Sequence, residues 1–94
     1  MSEQSGHRSE AKPAGAADAA DLVLDCRGMR CPLPVIELAR RIADVPVGGV
    51  VAAVADDPAA AADVPAWCRL RGHSYLGLGD PVDGAAAYLV RRLR

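Results

Sequence analysis

The hydrophobic residues after position 21 repeat first with the period of a strand and then with the period of a helix. The strand-like set comprises Leu22, Leu24 and Cys26, and the helical set comprises Val35, Leu38, Ala39 and Ile42. The alternation predicts a short strand that ends at Arg27-Gly28, and the i, i+3, i+4, i+7 spacing predicts an amphipathic helix from Pro32 onward. The chain therefore begins its ordered part with a β-α unit.

The rest of the chain predicts one more helix and three more strands. Pro46 to Gly49 reads as a turn, and Val50 to Ala55 reads as a largely buried strand. Two helix-start signals follow, Asp56-Asp57-Pro58 and Asp63-Val64-Pro65, each with Asp as cap and Pro in the first turn. We place the helix at 63–71, followed by Gly72 as its C′ residue. Residues 73–78 and 85–90 read as closing strands, although 85–92 could also be helical. The order is β-α-β-α-β-β, with two helices packed on a four-stranded sheet.

Residues 1–21 contain no Leu, Ile, Val or aromatic residue, so they cannot bury enough surface to offset the entropy of ordering. We predict a disordered N-terminal tail over 1–21 and one small domain over 22–94. That domain carries nine Arg and eight acidic side chains, and the whole chain has a net charge of −1. This nearly balanced charge lacks the excess of basic residues expected of a protein that binds nucleic acid directly. No secretion signal or bilayer-length apolar run precedes or interrupts the domain, which favours a cytoplasmic protein without a membrane partner.

The three cysteines are an odd number in a chain without a secretion signal, which favours reduced thiols over a disulfide framework. Cys68 shares helical spacing with Val64 and Trp67 and is expected to be a core residue. Cys26 continues the alternation of the first strand and is expected to be buried. The alternative is that Cys26 forms a C-x4-C redox pair with Cys31.

The stretch R-G-M-R-C-P-L-P, residues 27 to 34, places Cys31 where a chemically used thiol is expected. A residue before proline is driven out of the α region, so Cys31 should be the cap of a helix that begins at Pro32, with Pro34 as its third residue. The helix dipole, with Arg27 and Arg30 beside it, should lower the pKa of the thiol by about half a unit. A persulfide at this place would also meet free backbone N–H groups. The position suits a sulfur acceptor better than a hydrolase, which needs a strong base at hand.

Two segments, LDCRGMRCPLPVIELARRI and ADDPAAAADVPAWCRLRGH, resemble the TusA-like sulfurtransferases, small sulfur-carrier proteins marked by a C-P-x-P motif at a helix start. The resemblance covers the chain from Leu22 to its end. It implies a two-layer α/β sandwich with a four-stranded mixed sheet and both helices on one face. It also implies that Cys31 carries a covalent persulfide, without any other cofactor or metal. The predicted site is therefore Cys31 with the supporting residues Arg27, Gly28, Arg30, Pro32 and Pro34.

The same resemblance implies the partners and the activity, that of a sulfurtransferase acting as a persulfide carrier. A cysteine desulfurase or another sulfur-donor protein would load the cysteine, and a downstream acceptor protein would receive the sulfur. Members of the family relay sulfur toward tRNA thiolation, molybdenum-cofactor assembly or other sulfur metabolism. In members that serve tRNA thiolation a Glu stands between the two prolines, whereas this chain has Leu33.

Two other classes of function are compatible with the sequence. Cys26, Cys31, Cys68 and His73 supply N and S donors that a structural zinc ion would accept. Stiff surroundings at Pro32 and in the second helix disfavour that site. Alternatively, the fold could serve as a non-catalytic regulatory or interaction module, in which case function would survive replacement of Cys31.

Overall fold

The computed structural model describes residues 20–94, which form a four-stranded sheet and two helices. The elements are β1 (Leu22–Asp25), α1 (Leu33–Arg41), a 3₁₀ turn (Ile42–Asp44), β2 (Val50–Ala55), α2 (Ala60–Arg71), β3 (Ser74–Leu78) and β4 (Ala86–Arg91). The strand order is β1-β2-β4-β3. β1 is parallel to β2, and β4 is antiparallel to both of its neighbours. The α/β sandwich with a mixed sheet is confirmed, and the last segment, predicted as a strand over 85–90, folds as a strand over Ala86–Arg91 rather than as a helix. The predicted tail falls mainly on residues 1–19, outside the described part.

The parallel pairing of β1 with β2 determines where the loops meet. Its register runs from Leu22 opposite Val51 to Asp25 opposite Val54, and the Cys26 amide extends the ladder to the Val54 carbonyl at 2.7 Å. Both strands therefore end at the same edge of the sheet. The loop that leads into α1 lies there beside the loop that leads into α2.

The two faces of the sheet carry separate apolar clusters, because neighbouring strand residues point to opposite sides. The helix-covered face holds the larger cluster, which includes Leu24, Cys26, Leu38, Val51, Ala55, Val64, Trp67, Cys68, Tyr88 and Val90. The opposite face holds a smaller cluster of Ala52, Val54, Ala85, Ala87 and Leu89. Apart from Trp67, Tyr88 and the two cysteines, the side chains of the buried core are aliphatic.

The start of α1 differs by one residue from the sequence prediction. Pro32 is the N-cap (φ −99°, ψ 22°) and Leu33 is the first helical residue, so Cys31 lies one position before the cap. The Leu33 amide closes a turn by donating to the Arg30 carbonyl at 2.7 Å. Pro34 is thus the second helical residue, where its missing N–H has no intrahelical partner to lose. The Cys31–Pro32 peptide bond is cis.

The start of α2 also differs, by three residues. The first Asp-Pro signal determines the start: the Ala60 amide donates to the Asp57 carbonyl, and the Asp63 amide donates to the Ala59 carbonyl. Asp63 is therefore a first-turn helical residue and not a cap. Pro65 is tolerated inside the helix because the carbonyl that it leaves unpaired belongs to Ala61, which is exposed to solvent.

The end of α2 was predicted correctly, since Gly72 ends the helix in the left-handed conformation (φ 79°). Asp21 is held to β2 by two hydrogen bonds, from its amide to the Val50 carbonyl and from the Val50 amide to Asp21 Oδ2, both at 2.8 Å. Within residues 20–94 neither helix combines the length and apolar character that crossing a bilayer requires.

Candidate functional site

Two acidic residues after β2 hold the loop that contains Cys31. The Gly28 amide donates to both carboxylate oxygens of Asp56, at 3.0 and 3.3 Å. The Cys31 amide donates to Asp57 Oδ2 at 2.9 Å, and the Ala59 amide donates to Asp57 Oδ1 at 3.0 Å. Gly28 has φ 82°, a conformation that side chains disfavour and that turns its amide toward Asp56. Asp56 and Asp57 therefore bind across to the α1 loop, a role that the sequence did not predict for them.

The hydrogen bonds to Asp57 determine whether the Cys31 amide is available to stabilise an anion. The amides of Ala59 and Cys31, together with the charge of Arg30, lower the pKa of the Asp57 carboxyl. Since the Cys31 N–H already donates to this carboxylate, it is not free to stabilise an anion on its own side chain. Free backbone N–H groups were expected at this helix start, and the Cys31 amide is not one of them.

The Cys31 thiol is exposed and bound to a third carboxylate. Its Sγ donates to Asp63 Oδ2 at 2.8 Å. This hydrogen bond is the largest cause of a raised pKa of the Cys31 thiol; partial desolvation and the charges of Asp63 and Asp57 act in the same direction. The sequence predicted a lowered pKa. A helix dipole contributes only about half a unit, and a carboxylate in direct contact outweighs it.

Arg27 does not provide the positive charge that was expected beside the thiol. Its Nε and Nη2 donate to the two carboxylate oxygens of Asp25, each at 2.8 Å, and its Nη1 donates to Asp83 Oδ2 at 3.1 Å. These bonds lower the pKa of Asp25 to about 2 and raise the pKa of Arg27. Arg27 thus connects the end of β1 with the β3–β4 loop. Arg30 adds a small contribution to the lowered pKa of Asp57, after the larger contributions of the Ala59 and Cys31 amides.

The other two cysteines are buried in the core. Cys26 is 0% exposed and Cys68 is 1% exposed, whereas Cys31 is exposed, and all three are free thiols. Burial raises the pKa of Cys26, with a smaller contribution from Glu37, and raises the pKa of Cys68 to about 11. Within residues 20–94 Cys31 is thus the one thiol open to a reagent or partner. A redox pair with the buried Cys26 is disfavoured.

A shallow groove between α1 and α2 leads to the thiol. Its volume is about 290 Å³, and it is lined by Cys31, Pro32, Val35, Asp63, Ala66, Trp67 and Leu70. Apart from the thiol and the Asp63 carboxylate, the lining is apolar. Leu70 at its rim is 80% exposed, which is unusual for a large aliphatic side chain.

The four residues considered as zinc ligands do not assemble. His73 Nδ1 accepts a hydrogen bond from the Leu93 amide at 3.1 Å, and its ring stacks on Trp67 with centroids 5.3 Å apart. Burial and neighbouring arginines lower the pKa of His73. Across residues 20–94 no group of three or more His, Cys, Asp and Glu side chains is arranged to hold a metal ion. His73 is accordingly a packing residue at the end of α2.

Comparisons with known proteins identify the family and agree with this fold. The family model described as "Sulfurtransferase TusA" matches residues 22–92. The chain belongs to the TusA family. It is 35% identical over 72 residues to the sulfur carrier protein TusA of Pseudomonas entomophila, covering 77% of this chain and 89% of that one. It is also 40% identical over 58 residues to the putative sulfur carrier protein YrkF of Bacillus subtilis, covering 62% of this chain but only 31% of that protein.

A solved structure shares the fold. The SirA-like protein of Desulfitobacterium hafniense superposes with a TM-score of 0.65 at 20% identity, over 78% of this chain and 99% of that one. This TusA-family chain is therefore a two-layer sandwich of the same kind, and it is a member of a family of sulfur carriers.

Proposed function

We propose that this TusA-family chain accepts sulfur as a persulfide on Cys31 and passes it to a downstream acceptor protein. The observation that carries the proposal is the contrast among the three thiols. Cys31 is exposed at the loop before α1 and opens onto an apolar groove, whereas Cys26 and Cys68 are buried in the core. A sulfur that must be attacked by a partner's thiolate has to be accessible, and Cys31 meets that requirement.

The transfer needs no oxidant or reductant. The Cys31 sulfur attacks the outer sulfur of a donor persulfide, and a new S–S bond forms as the donor's S–S bond breaks. The electron pair of the broken bond stays on the donor's cysteine sulfur, which takes up one proton, while Cys31 gives up one proton. A cysteine desulfurase is a donor of the required chemistry. Transfer to the acceptor is the same step in the opposite sense.

The surroundings of Cys31 support docking of a protein partner rather than a free small molecule. The groove is shallow, Leu70 at its rim is exposed, and α1 carries two further exposed aliphatic side chains, Leu33 and Ile36. Leu33 is 49% exposed, so the position between the two prolines presents an apolar surface to a partner. We therefore propose that the acceptor presents an apolar surface around its own cysteine.

The proposal is tested by loading the full chain with sulfur. The protein is incubated with a cysteine desulfurase and cysteine, and intact and peptide masses are measured without reductant. We expect a mass increase of one sulfur on the peptide containing Cys31, removable with dithiothreitol. Cys31→Ser should not load, and the matched control Cys68→Ala should load normally.

Loading that persists in Cys31→Ser, or that maps to Cys26 or Cys68, would contradict the assignment of the carrier. Failure of the wild-type chain to load from every donor tested would replace the carrier function with a regulatory or interaction module of the same fold.

A further inference from the structure

We propose that Asp63 is a positioning residue that holds Cys31 in the thiol form between transfers and shifts the sulfur-exchange equilibrium toward discharge. The part concerning the thiol stands without a carrier function, whereas the part concerning discharge rests on the proposed function. Asp63 was predicted from the sequence only as a helix cap.

The geometry gives Asp63 a fixed position opposite the thiol. Its Oδ2 lies 2.8 Å from Cys31 Sγ, and its amide donates to the Ala59 carbonyl at 3.0 Å within the first turn of α2. The next residue, Val64, is 0% exposed and anchors that turn in the core. Within residues 20–94 the Asp63 carboxylate has no ion-pair partner. Its negative charge is therefore directed at the thiol rather than neutralised by a cation.

The charged groups around Cys31 act mainly in one direction. Asp63 faces it from α2, and Asp57 faces it from the loop before α2. The cation on its own loop, Arg30, acts on Asp57, and Arg27 is engaged by Asp25 and Asp83. Two carboxylates therefore oppose formation of a thiolate. The raised pKa of the Cys31 thiol agrees with this arrangement.

The contact between Cys31 and Asp63 has opposite effects on the thiol and on the persulfide of Cys31. The thiol donates a hydrogen bond to Asp63, whereas a persulfide anion has no proton to donate and places a second negative charge beside the carboxylate. In the exchange Cys31–S–S⁻ + R–SH → Cys31–SH + R–S–S⁻, one sulfur and one proton change places. The carboxylate destabilises the left side and stabilises the right side. Such a bias suits a carrier whose sulfur must leave again.

The first test measures the apparent pKa of the Cys31 thiol. Alkylation of Cys31 by iodoacetamide is followed by peptide mass as a function of pH in the full chain. In Asp63→Asn the apparent pKa of Cys31 should fall by about one unit. Thiolate at neutral pH then rises about tenfold, and the alkylation rate rises about threefold because a less basic thiolate is a weaker nucleophile. Asp80→Asn, which removes an exposed carboxylate from the β3–β4 loop, should match the wild type. Asp63→Glu, which restores the charge, should shift the apparent pKa back toward the wild-type value.

The second test measures how sulfur is shared at equilibrium between the Asp63→Asn variant and the wild type. Equimolar Asp63→Asn and ¹⁵N-labelled wild-type chains share a limiting amount of sulfur from cysteine and a catalytic amount of cysteine desulfurase, and intact mass separates the two. We expect an excess of persulfide on the variant of up to about tenfold, the ratio reached when the carboxylate opposes the persulfide anion as strongly as it opposes the thiolate. The Asp80→Asn chain should share sulfur equally with the wild type.

The outcomes separate the two proposals. An unchanged alkylation profile in a folded Asp63→Asn chain would overturn the inference about Asp63 whatever the loading result. Equal sharing of sulfur would overturn its effect on discharge. A shifted profile in a wild-type chain that never loads would support the contact with the thiol and refute the carrier function.

Discussion

Replacing each of the three cysteines by alanine tests the assignment of one exposed and two buried thiols. Cys26→Ala, Cys31→Ala and Cys68→Ala each delete one Sγ, but Cys26 and Cys68 are at most 1% exposed whereas Cys31 is open to solvent. We expect the first and third substitutions to destabilise the fold. The second should leave the free energy of unfolding unchanged within error, because it empties no space in the core.

The size of the effect follows from the buried atom. Deleting a buried group the size of a methylene costs about 0.8 kcal/mol of transfer free energy. A residual cavity of about 20 Å³ adds about 0.5 kcal/mol. The sum is about 1.3 kcal/mol for Cys26→Ala or Cys68→Ala. In a domain of this size that corresponds to a fall in Tm of about 5 to 10 °C.

The assay is urea unfolding followed by Trp67 fluorescence and by circular dichroism, with the Tm from a thermal scan. In parallel, the native protein is treated with iodoacetamide, and we expect rapid labelling of Cys31 and slow labelling of Cys68, whose thiol has a pKa of about 11. If Cys31→Ala costs as much stability as Cys68→Ala, or if Cys68 reacts as fast as Cys31, the assignment of one exposed and two buried thiols is wrong.

Two further predictions follow from contacts outside the thiols. Arg27 holds the pKa of Asp25 at about 2, below its ordinary 3.8, so the pair stabilises the fold above pH 3.8 and this contribution is lost as the pH falls toward 2. The difference in stability between the wild type and Asp25→Asn should therefore shrink between about pH 4 and pH 2, and a pH-independent difference in urea midpoints would contradict this. Deleting residues 1–19 should change the Tm by only a few degrees, because they contain no Leu, Ile, Val or aromatic residue. Deleting 1–21 should lower it further through loss of the Asp21 bonds to β2, and equal Tm values for the two truncations would refute a role for Asp21.

Much of the fold could be predicted because its signals are local. The run Val50–Ala55 predicted β2 with its observed bounds, and Gly72 ends α2 as its position indicated. The start of α2 was missed because two signals compete there: α2 begins after the first Asp-Pro pair, and the second proline is accommodated one turn inside the helix. Local sequence does not rank two such signals, since each offers an Asp cap followed by a proline suited to the first turn.

The sequence by itself determined the periodicity of the elements, the proline-stiffened start of α1 and the position of Cys31 directly before it. Only the tertiary structure decided the electrostatics of that cysteine. Asp57 and Asp63 lie 26 and 32 residues away along the chain, and they reach Cys31 because β1 and β2 run parallel and end at one edge of the sheet. Neighbours in sequence predicted a thiol beside arginines, whereas Arg27 is bound by Asp25 and Asp83 and two distant carboxylates face the sulfur. The pKa of a side chain depends on the charges within a few ångströms, and folding rather than sequence proximity determines which charges those are.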